Sequence, residues 1–271
     1  MALALRRRIV GRLAECRRPA FASRIFPTVT NRTEGLDVLA IAAHRDDVEL
    51  TCGGTLARLS RLGRRIGIVD LTQGEMGSRG SADLRAAEAA AAAAVLGVEV
   101  RENLALPDAG ITNTPATRAA LARVLRRLKP AVVIAPAPRG RHPDHRVAAQ
   151  LIRDAVFVAG LSKVAPEIAA YRPRKIIHAI AYREDHVKPT FVVDISDDFD
   201  AKLAAVRCYA SQFDGATQAG EAYPTGDPLY DVLRHQASHY GSLIRCRFGE
   251  PFWTSETMKV DDVSTLEVST F

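Results

Sequence analysis

The chain has 271 residues, of which 47% are hydrophobic and 25% are charged, values that are ordinary for a globular protein. It contains no run of eighteen apolar residues, so the sequence predicts no membrane-spanning helix. The four cysteines form no CxxC pair that would indicate a thiolate metal site or a disulfide framework; they fit a reducing compartment, and we expect a cytoplasmic protein.

The net charge of +6 is concentrated at the start of the chain. Residues 1–34 contain eight arginines against two acids, Glu15 and Glu34, a net of +6, so residues 35–271 sum to about zero. A neutral body lacks the phosphate-neutralising surface of a nucleic-acid binder. We therefore predict a basic extension over residues 1–34, disordered or loosely attached, and one folded domain over residues 35–271. A transit peptide, a disordered tail and an unused upstream start all fit the composition of the extension.

Apolar runs alternate with helical patterns after the extension. The predicted elements are, in chain order, a strand over 36–43, a helix over 54–62, a strand over 65–71, a helix over 82–96, a strand over 98–106, a helix over 115–128, a strand over 131–135, a helix ending near 159, strands over 176–182 and 190–195, and helices over 197–209 and 227–244. Strands that alternate with helices predict a mostly parallel sheet covered on both faces. We expect a single-domain, Rossmann-like α/β fold.

Two short motifs each place two potential metal ligands three residues apart. The motif AHRDD pairs His44 with Asp47, and RHPDH pairs His142 with His145. This spacing puts two side chains on one side of a helical turn or across one tight loop. Each motif follows a predicted strand, and ligands of α/β sheets bind at the carboxyl ends of the strands. The motifs are thus predicted to converge at that edge, where two imidazoles and a carboxylate form a common ligand set for catalytic zinc.

A further carboxylate, Asp46, stands beside a proposed ligand and can act as general base toward a water molecule. Taken alone, each motif also has an ordinary structural interpretation. Asp46 and Asp47 resemble a helix N-cap, and Pro143 and Asp144 are common turn or helix-start residues. Their predicted placement at one edge of the same sheet favours the metal site.

A glycine-rich loop, TQGEMGSRG, follows the second predicted strand. Its glycines are spaced GxxGxxG rather than GxGxxG, and the loop does not follow the first strand, so a dinucleotide site is not favoured. We interpret it as a flexible loop that borders the site. Arg85, at the start of the next helix, has two interpretations: a solvated residue paired with Glu88, or a charged donor that faces the substrate.

These motifs resemble those of the LmbE-like, or PIG-L, family of zinc-dependent N-acetylglucosaminyl deacetylases. The family pattern of AHPDD, a glycine-rich loop, Arg-x-x-Glu and HPDH reads here as AHRDD, LTQGEMGSRG, LRAAE and RHPDH. The bacillithiol-biosynthesis branch is similar in AHRDDVE, GGT, DLTQGEMGSRG, LPDAGI, RHPDH, AGLSK, KPTFVVDIS and YASQF. Arg45 departs from the family, which has a proline there, and residues 1–34 have no family counterpart.

The resemblance implies a metal-dependent deacetylase in which His44, Asp47 and His145 hold the ion. The family points to zinc, although two imidazoles and a carboxylate also suit Fe²⁺ or cobalt. Related enzymes imply a homo-oligomer, either a trimer or a hexamer. The implied partner is a small amino-sugar conjugate, with no nucleic acid and no membrane.

The resemblance also implies the remaining roles in the reaction. Asp46 would be the general base, and His142 would be the general acid or stabilise the oxyanion, with Asp144 orienting it. Arg85 would contact the substrate near the reacting carbonyl. Either His142 or the protonated Asp46 would deliver a proton to the leaving amine.

The branch that is most similar implies N-acetylglucosaminyl malate as the substrate. Its two carboxylates suit arginine partners, and Arg45, Arg79 and Arg141 lie near the motifs. A chito-oligosaccharide, a lipid-linked glucosamine or a thiol conjugate are alternative substrates. A non-catalytic metal- or nucleotide-binding module is a third possibility, against which Asp46 and His142 argue, because metal binding alone needs neither.

Overall fold

The computed structural model describes residues 34–181, 187–213, 229–265 and 267. Apart from Glu34, the predicted extension therefore lies outside the described residues. The end of the predicted strand 176–182 and the start of the predicted helix 227–244 also lie outside them. The described strands are β1 (Val38–Ala42), β2 (Ile66–Thr72), β3 (Val100–Leu106), β4 (Val132–Pro136), β5 (Lys175–Ala179), β6 (Phe191–Asp194) and β7 (Gly249–Trp253). The described α-helices are α1 (Asp47–Arg61), α2 (Ala82–Leu96), α3 (Pro115–Leu128), α4 (Pro143–Ala159), α5 (Phe199–Arg207), α6 (Ala210–Phe213) and α7 (Leu229–Leu243).

The seven strands form one sheet in the order β3-β2-β1-β4-β5-β7-β6. The pairs from β3 across to β5 are parallel, and β7 is antiparallel to both of its neighbours. The chain adds β2 and β3 on one side of β1 and then places β4 on the other side. The strand order therefore reverses between β1 and β4, the position at which α/β sheets bind ligands. The predicted single-domain, mostly parallel α/β fold is confirmed.

The strand β1 is buried on both faces because successive side chains point to opposite sides of the sheet. Leu39 and Ile41 belong to the core cluster that contains Leu151 of α4. Ala40 belongs to the cluster on the other face, which contains Leu56 of α1. Helices thus cover both faces, and the chain that leaves β1 emerges at the carboxyl edge of the sheet.

Helix α1 begins earlier than predicted, at Asp47 instead of Gly54. A kink at Cys52, whose φ is −139°, divides it. After the kink, the buried carboxylate of Glu250 accepts hydrogen bonds from the backbone N–H groups of Gly54 and Thr55, at 2.9 and 2.6 Å. The glycine pair therefore marks the kink and not the helix start, because the N–H groups that the kink frees are satisfied by a residue of β7.

The sequence did not predict β7, which pairs between the two predicted strands β5 and β6. Phe252 of β7 is fully buried and stacks on Phe191, with ring centroids 5.4 Å apart. Trp253 lies beside His178, with centroids 5.3 Å apart, and the His178 Nδ1 lies 2.7 Å from the Pro136 carbonyl. His178 is therefore a buried core residue with a hydrogen-bond partner. Pairing with strands that are distant in the chain defines β7.

Within the described residues, we find no helix with both the length and the apolar character needed to cross a bilayer.

Candidate active site

The two motifs meet at the carboxyl edge of the neighbouring strands β1 and β4. His44 lies two residues after β1, and His142 is the N-cap residue of α4 in the connection that follows β4. Their rings are 4.8 Å apart between centroids in a T-shaped arrangement, and the His145 ring lies 5.0 Å from that of His142. The predicted convergence of the motifs is confirmed, although about a hundred residues separate them in the chain.

Three of the predicted ligands bring their donor atoms together. Asp47 Oδ2 lies 3.2 Å from His44 Nδ1, and Asp47 Oδ1 lies 3.1 Å from His145 Nε2. The two imidazole nitrogens are 3.4 Å apart. Ligand atoms that each lie about 2.1 Å from a tetrahedral zinc ion are separated by roughly 3.4 Å. Asp47 makes these two contacts through different oxygens, and with one oxygen counted for it the three donor atoms lie within 4.8 Å of one another, which suits a shared divalent ion.

The charges around His44 favour a cation at this position. Burial lowers the pKa of His44, but the charge of Asp47, hydrogen bonds with Asp108 and Asp47 and the charge of Asp46 outweigh it and raise this pKa to about 11. Burial raises the pKa of Asp47, but the two imidazoles outweigh that effect and hold this pKa well below its usual value. A site so rich in carboxylates stabilises positive charge, which a divalent ion supplies when the histidines are neutral.

Asp46 and Arg85 face each other beside the three donors. Asp46 Oδ2 lies 3.5 Å from Arg85 Nη2. Burial raises the pKa of Asp46, and the charge of Arg85 opposes that shift. The interpretation of Arg85 as a solvated residue paired with Glu88 is wrong, because Arg85 is 5% exposed. Its buried Nε has no hydrogen-bond partner among the described residues.

The glycine-rich loop fixes the position of Arg85. The Gly74 carbonyl accepts a hydrogen bond from Arg85 Nη1 at 3.0 Å, and Gly74 has a φ of +71°. A Cβ atom at this position would lie 1.9 Å from Arg85 Nη1. Glycine is required here both for the left-handed backbone and for the close approach of the guanidinium. The loop therefore borders the site, as predicted.

His142 and Asp144 lie at the start of α4, beside the three donors. His142 is exposed, and its Nδ1 accepts a hydrogen bond from the Asp144 N–H at 3.2 Å. The buried Asp144 carboxylate accepts from the Ala109 N–H at 2.8 Å and lies 3.6 Å from His44 Nε2. Asp144 is thus tied to the ring of His44 and, through its main chain, to the ring of His142.

Asp108, in the loop after β3, was not predicted as a site residue. Its Oδ1 lies 3.1 Å from His44 Nε2, and its Oδ2 accepts from the Met76 N–H at 3.0 Å. The hydrogen bond with His44 lowers the pKa of Asp108 to about 2. This carboxylate holds the ring so that Nδ1 points to Asp47. The signal was its position after a third strand that ends at the same edge, within the segment LPDAGI.

Arg45 does not point toward the site. It is 7% exposed, and its Nη1 donates a hydrogen bond to the Ala82 carbonyl at the start of α2. Of the three arginines that were considered as substrate contacts, Arg45 is withdrawn from solvent, whereas Arg79 is half-buried and Arg141 is exposed.

A small recess of about 20 Å³ borders Asp47 and His145. Small apolar residues at the ends of β1, β4 and β5 line it, together with Thr51 and Cys52 of α1. The three donor residues therefore adjoin both the exposed ring of His142 and this apolar recess.

Fold and site together define a Rossmann-like α/β protein that can hold a metal ion between two histidines and an aspartate at the switch point of its sheet. The family model described as PIG-L: GlcNAc-PI de-N-acetylase matches residues 39–156, a range that contains every predicted site residue. The chain belongs to the PIG-L family of deacetylases, as its motifs indicated.

Three relatives illustrate the similarity. Diacetylchitobiose deacetylase of Thermococcus kodakarensis is 33% identical over 225 residues, which cover 79% of this chain and 80% of that protein. The 1D-myo-inositol 2-acetamido-2-deoxy-alpha-D-glucopyranoside deacetylase of Mycobacterium sp. (strain KMS) is 31% identical over 65% of this chain and 73% of that protein. The conserved protein TT1542 from Thermus thermophilus superimposes with a TM-score of 0.75 and 39% identity, covering 83% of this chain and 98% of that one.

Proposed function

We propose that this protein is a metal-dependent hydrolase that removes the N-acetyl group from an N-acetylglucosamine conjugate. The observation that carries the proposal is the group formed by His44, Asp47 and His145, whose donor atoms lie within 4.8 Å of one another with Asp46 adjacent. The family membership supports the reaction class, because two of the three relatives described above are named as deacetylases of N-acetylated sugars.

These three residues would hold the ion, for which we propose zinc, with Fe²⁺ as the alternative. When bound, such an ion supplies Lewis acidity and brings the pKa of water toward neutrality. All three side chains are partly buried, and the negative charge around His44 offsets the cost of placing a divalent cation there.

Asp46 would act as the general base. Burial raises the pKa of its carboxylate, which makes it a better proton acceptor than an exposed aspartate. Arg85 lies 3.5 Å away and keeps the side chain oriented. Asp46 would take the proton of the water that attacks the acetyl carbon, and this attack turns the amide carbonyl oxygen into an oxyanion.

His142 would stabilise that oxyanion or protonate the leaving amine. Burial lowers the pKa of His142, and the charges of His44 and His145 lower it further. Asp144, buried beside both motifs, would orient the start of α4 that presents this ring. The proton that reaches the amine nitrogen would come from His142 or from Asp46, which carries a proton after the first step. The products are acetate and a free amino sugar.

For the substrate, we propose N-acetylglucosaminyl malate. The motifs shared with the bacillithiol branch support it, and Arg79 and Arg141 offer partners for the two malate carboxylates. A chito-oligosaccharide is the main alternative, since the relative from Thermococcus kodakarensis is named for diacetylchitobiose. The recess beside Asp47 and His145 would take the acetyl methyl group in either case.

Acetate release from a panel of N-acetylated sugars tests the proposal. We would incubate the zinc-loaded protein with N-acetylglucosaminyl malate, diacetylchitobiose, N-acetylglucosaminyl inositol and free N-acetylglucosamine, with a chelated sample as control. We expect release that depends on zinc and is fastest from the malate conjugate. Release that is fastest from diacetylchitobiose would replace the substrate assignment. No release from any of them would reject the reaction and favour a binding module.

Three further predictions remain part of the proposal. We propose a cytoplasmic location, which the scattered cysteines and the free thiols of Cys52, Cys208 and Cys246 support. We also propose a homo-oligomer, a trimer or hexamer, as the family resemblance implies. Finally, we propose that residues 35–271 form the deacetylase domain and that residues 1–34 form a separate basic extension.

A further inference from the structure

The segment YASQF, over residues 209–213, has no role in the proposed chemistry, yet it contacts three separate parts of the wall around the site. It follows α5 and forms α6. Its side chains reach the loop between His44 and Asp46, the first two turns of α2 and the end of the glycine-rich loop. It therefore bridges elements that are far apart in the chain but adjacent at the site.

The Tyr209 hydroxyl donates a hydrogen bond to the Arg45 carbonyl. Arg45 stands between His44 and Asp46, so this carbonyl belongs to the main chain that joins a proposed metal ligand to the proposed base. The same carbonyl accepts from the Arg101 guanidinium, which is itself fixed by Asp70 at 2.8 and 2.9 Å. Tyr209 is fully buried, so its hydroxyl has a fixed position.

The Ser211 and Gln212 side chains fasten the segment to the other wall of the site. Ser211 donates to the Glu88 carboxylate through both its N–H and its Oγ, each at 2.7 Å. Glu88 lies on α2 one turn after Arg85, the residue that faces Asp46. Gln212 Nε2 donates to the Arg79 carbonyl at 2.8 Å, at the end of the glycine-rich loop.

We propose that Tyr209 is a positioning residue that sets the geometry of His44 and Asp46 through the Arg45 carbonyl, and that Ser211 and Gln212 anchor it to the Arg85 side of the site. The segment thus fixes the distance between the two walls that enclose the reacting amide. The metal part of this inference rests on the proposed ligand set of His44, Asp47 and His145, whereas its kinetic part rests on the proposed reaction.

Tyr209→Phe tests the proposal, because it removes one hydroxyl and keeps the ring in place. Tyr171→Phe is the matched control, since the Tyr171 hydroxyl also donates to a carbonyl, that of Pro130 at 3.0 Å, away from the site. We would measure zinc affinity by competition with a chromogenic chelator, the spectrum of the Co²⁺ form, kcat and KM. We expect Tyr209→Phe to weaken zinc binding and to lower kcat, each by about tenfold, with KM little changed. Tyr171→Phe should leave all of these within about twofold of the native values.

Ser211→Ala provides a second variant on the surface side of the segment. It removes one of two hydrogen bonds to Glu88, so we expect zinc affinity to fall by about threefold and KM to rise by a similar factor. The zinc titrations need no substrate, so they test the inference even if the substrate or reaction assignment fails. If Tyr209→Phe does not fold, Ser211→Ala decides. Native zinc affinity and an unchanged Co²⁺ spectrum in the folded variants would overturn the proposal.

Discussion

Two regions of the described chain contribute to the site in different ways. The first region, residues 36–159, contains β1–β4 and α1–α4 and carries every proposed ligand and catalytic residue. The second region, residues 175–265, provides no proposed catalytic group among its described residues. It instead supplies Glu250 at the kink of α1, Lys202 against Glu250, and the YASQF segment against the loops of the site.

The first region supplies the proposed catalytic groups, and the second region supplies contacts that support them. In the first region the proposed ligands and the proposed base lie after the ends of strands, so the parallel sheet brings them to one edge, where the glycine-rich loop holds Arg85. In the second region the important contacts join residues that lie 48 to 196 positions apart in the chain. We therefore expect changes of the catalytic side chains in the first region to abolish turnover with little loss of stability, and changes of the supporting contacts in the second to act mainly on stability and geometry.

The largest expected effect is that of Asp46→Asn in the first region. The amide keeps the shape of the side chain but cannot take a proton from water, so kcat should fall by about a hundred- to ten-thousand-fold. Because Asp46 is not among the three converging donors, zinc content measured on the same sample should stay at the native level. Near-native turnover with zinc bound would remove Asp46 from the base role and weaken the separation between the regions.

Glu250→Gln in the second region should act on stability. Lys202 Nζ lies 2.5 Å from Glu250 Oε1, and both side chains are almost completely buried. Breaking such a pair leaves an uncompensated buried charge and typically costs about 3–5 kcal/mol. We expect a large fall in the urea midpoint of unfolding. As a control, Glu102→Gln breaks the exposed pair with Arg127 and should hardly move that midpoint. Equal shifts in the two variants would contradict the role of Glu250.

Asp108→Asn tests whether Asp108 affects metal binding through His44. Its carboxylate lies 3.1 Å from His44 Nε2 and holds the imidazole with Nδ1 toward Asp47. Replacing a carboxylate that orients a metal-binding histidine typically weakens metal affinity or activity by about 10–100-fold. We expect that loss in a zinc titration, while Asp83→Asn, which neutralises an exposed carboxylate in the first turn of α2, should bind zinc normally. Unchanged affinity in Asp108→Asn would leave His44 oriented by Asp144 alone.

Local signals account for what could be predicted from the sequence. Helix α2 ends at Leu96 because Gly97 adopts a left-handed C-cap with a φ of 70°. Helix α3 begins after Thr114, whose side chain caps the Thr117 N–H, with Pro115 in the first turn. Both predicted helices have the predicted bounds. The two metal motifs were found for the same reason, since each is a short pattern after a recognisable strand.

Contacts between distant residues account for what was missed. The kink of α1 is stabilised by Glu250, which is 196 residues away from Gly54. The strand β7 is defined by its pairing with β5 and β6, and its residues GEPFW show no clear alternation. Asp108 was overlooked because a lone aspartate after a strand has no partner within the local sequence. The sequence left Arg45 open as a substrate contact, because its burial against α2 depends on tertiary packing that the local sequence does not show.

The smallest expected effect is that of removing residues 1–30, which tests whether the two regions are sufficient for folding and activity. The described chain is already held at its beginning, because the Leu36 N–H donates to the Leu128 carbonyl at 3.0 Å and Glu34 lies 3.3 Å from Lys129. A protein that starts at Asn31 keeps both contacts, and every proposed site residue lies at or after His44. It should fold, and its kcat/KM should stay within about tenfold of the native value, roughly 1.4 kcal/mol in barrier terms. Because residues 1–34 carry the whole net charge of +6, the truncated protein should elute earlier from a cation-exchange column. Unfolding, or a larger loss of kcat/KM, would mean that the extension belongs to the enzyme and that the domain does not begin at residue 35.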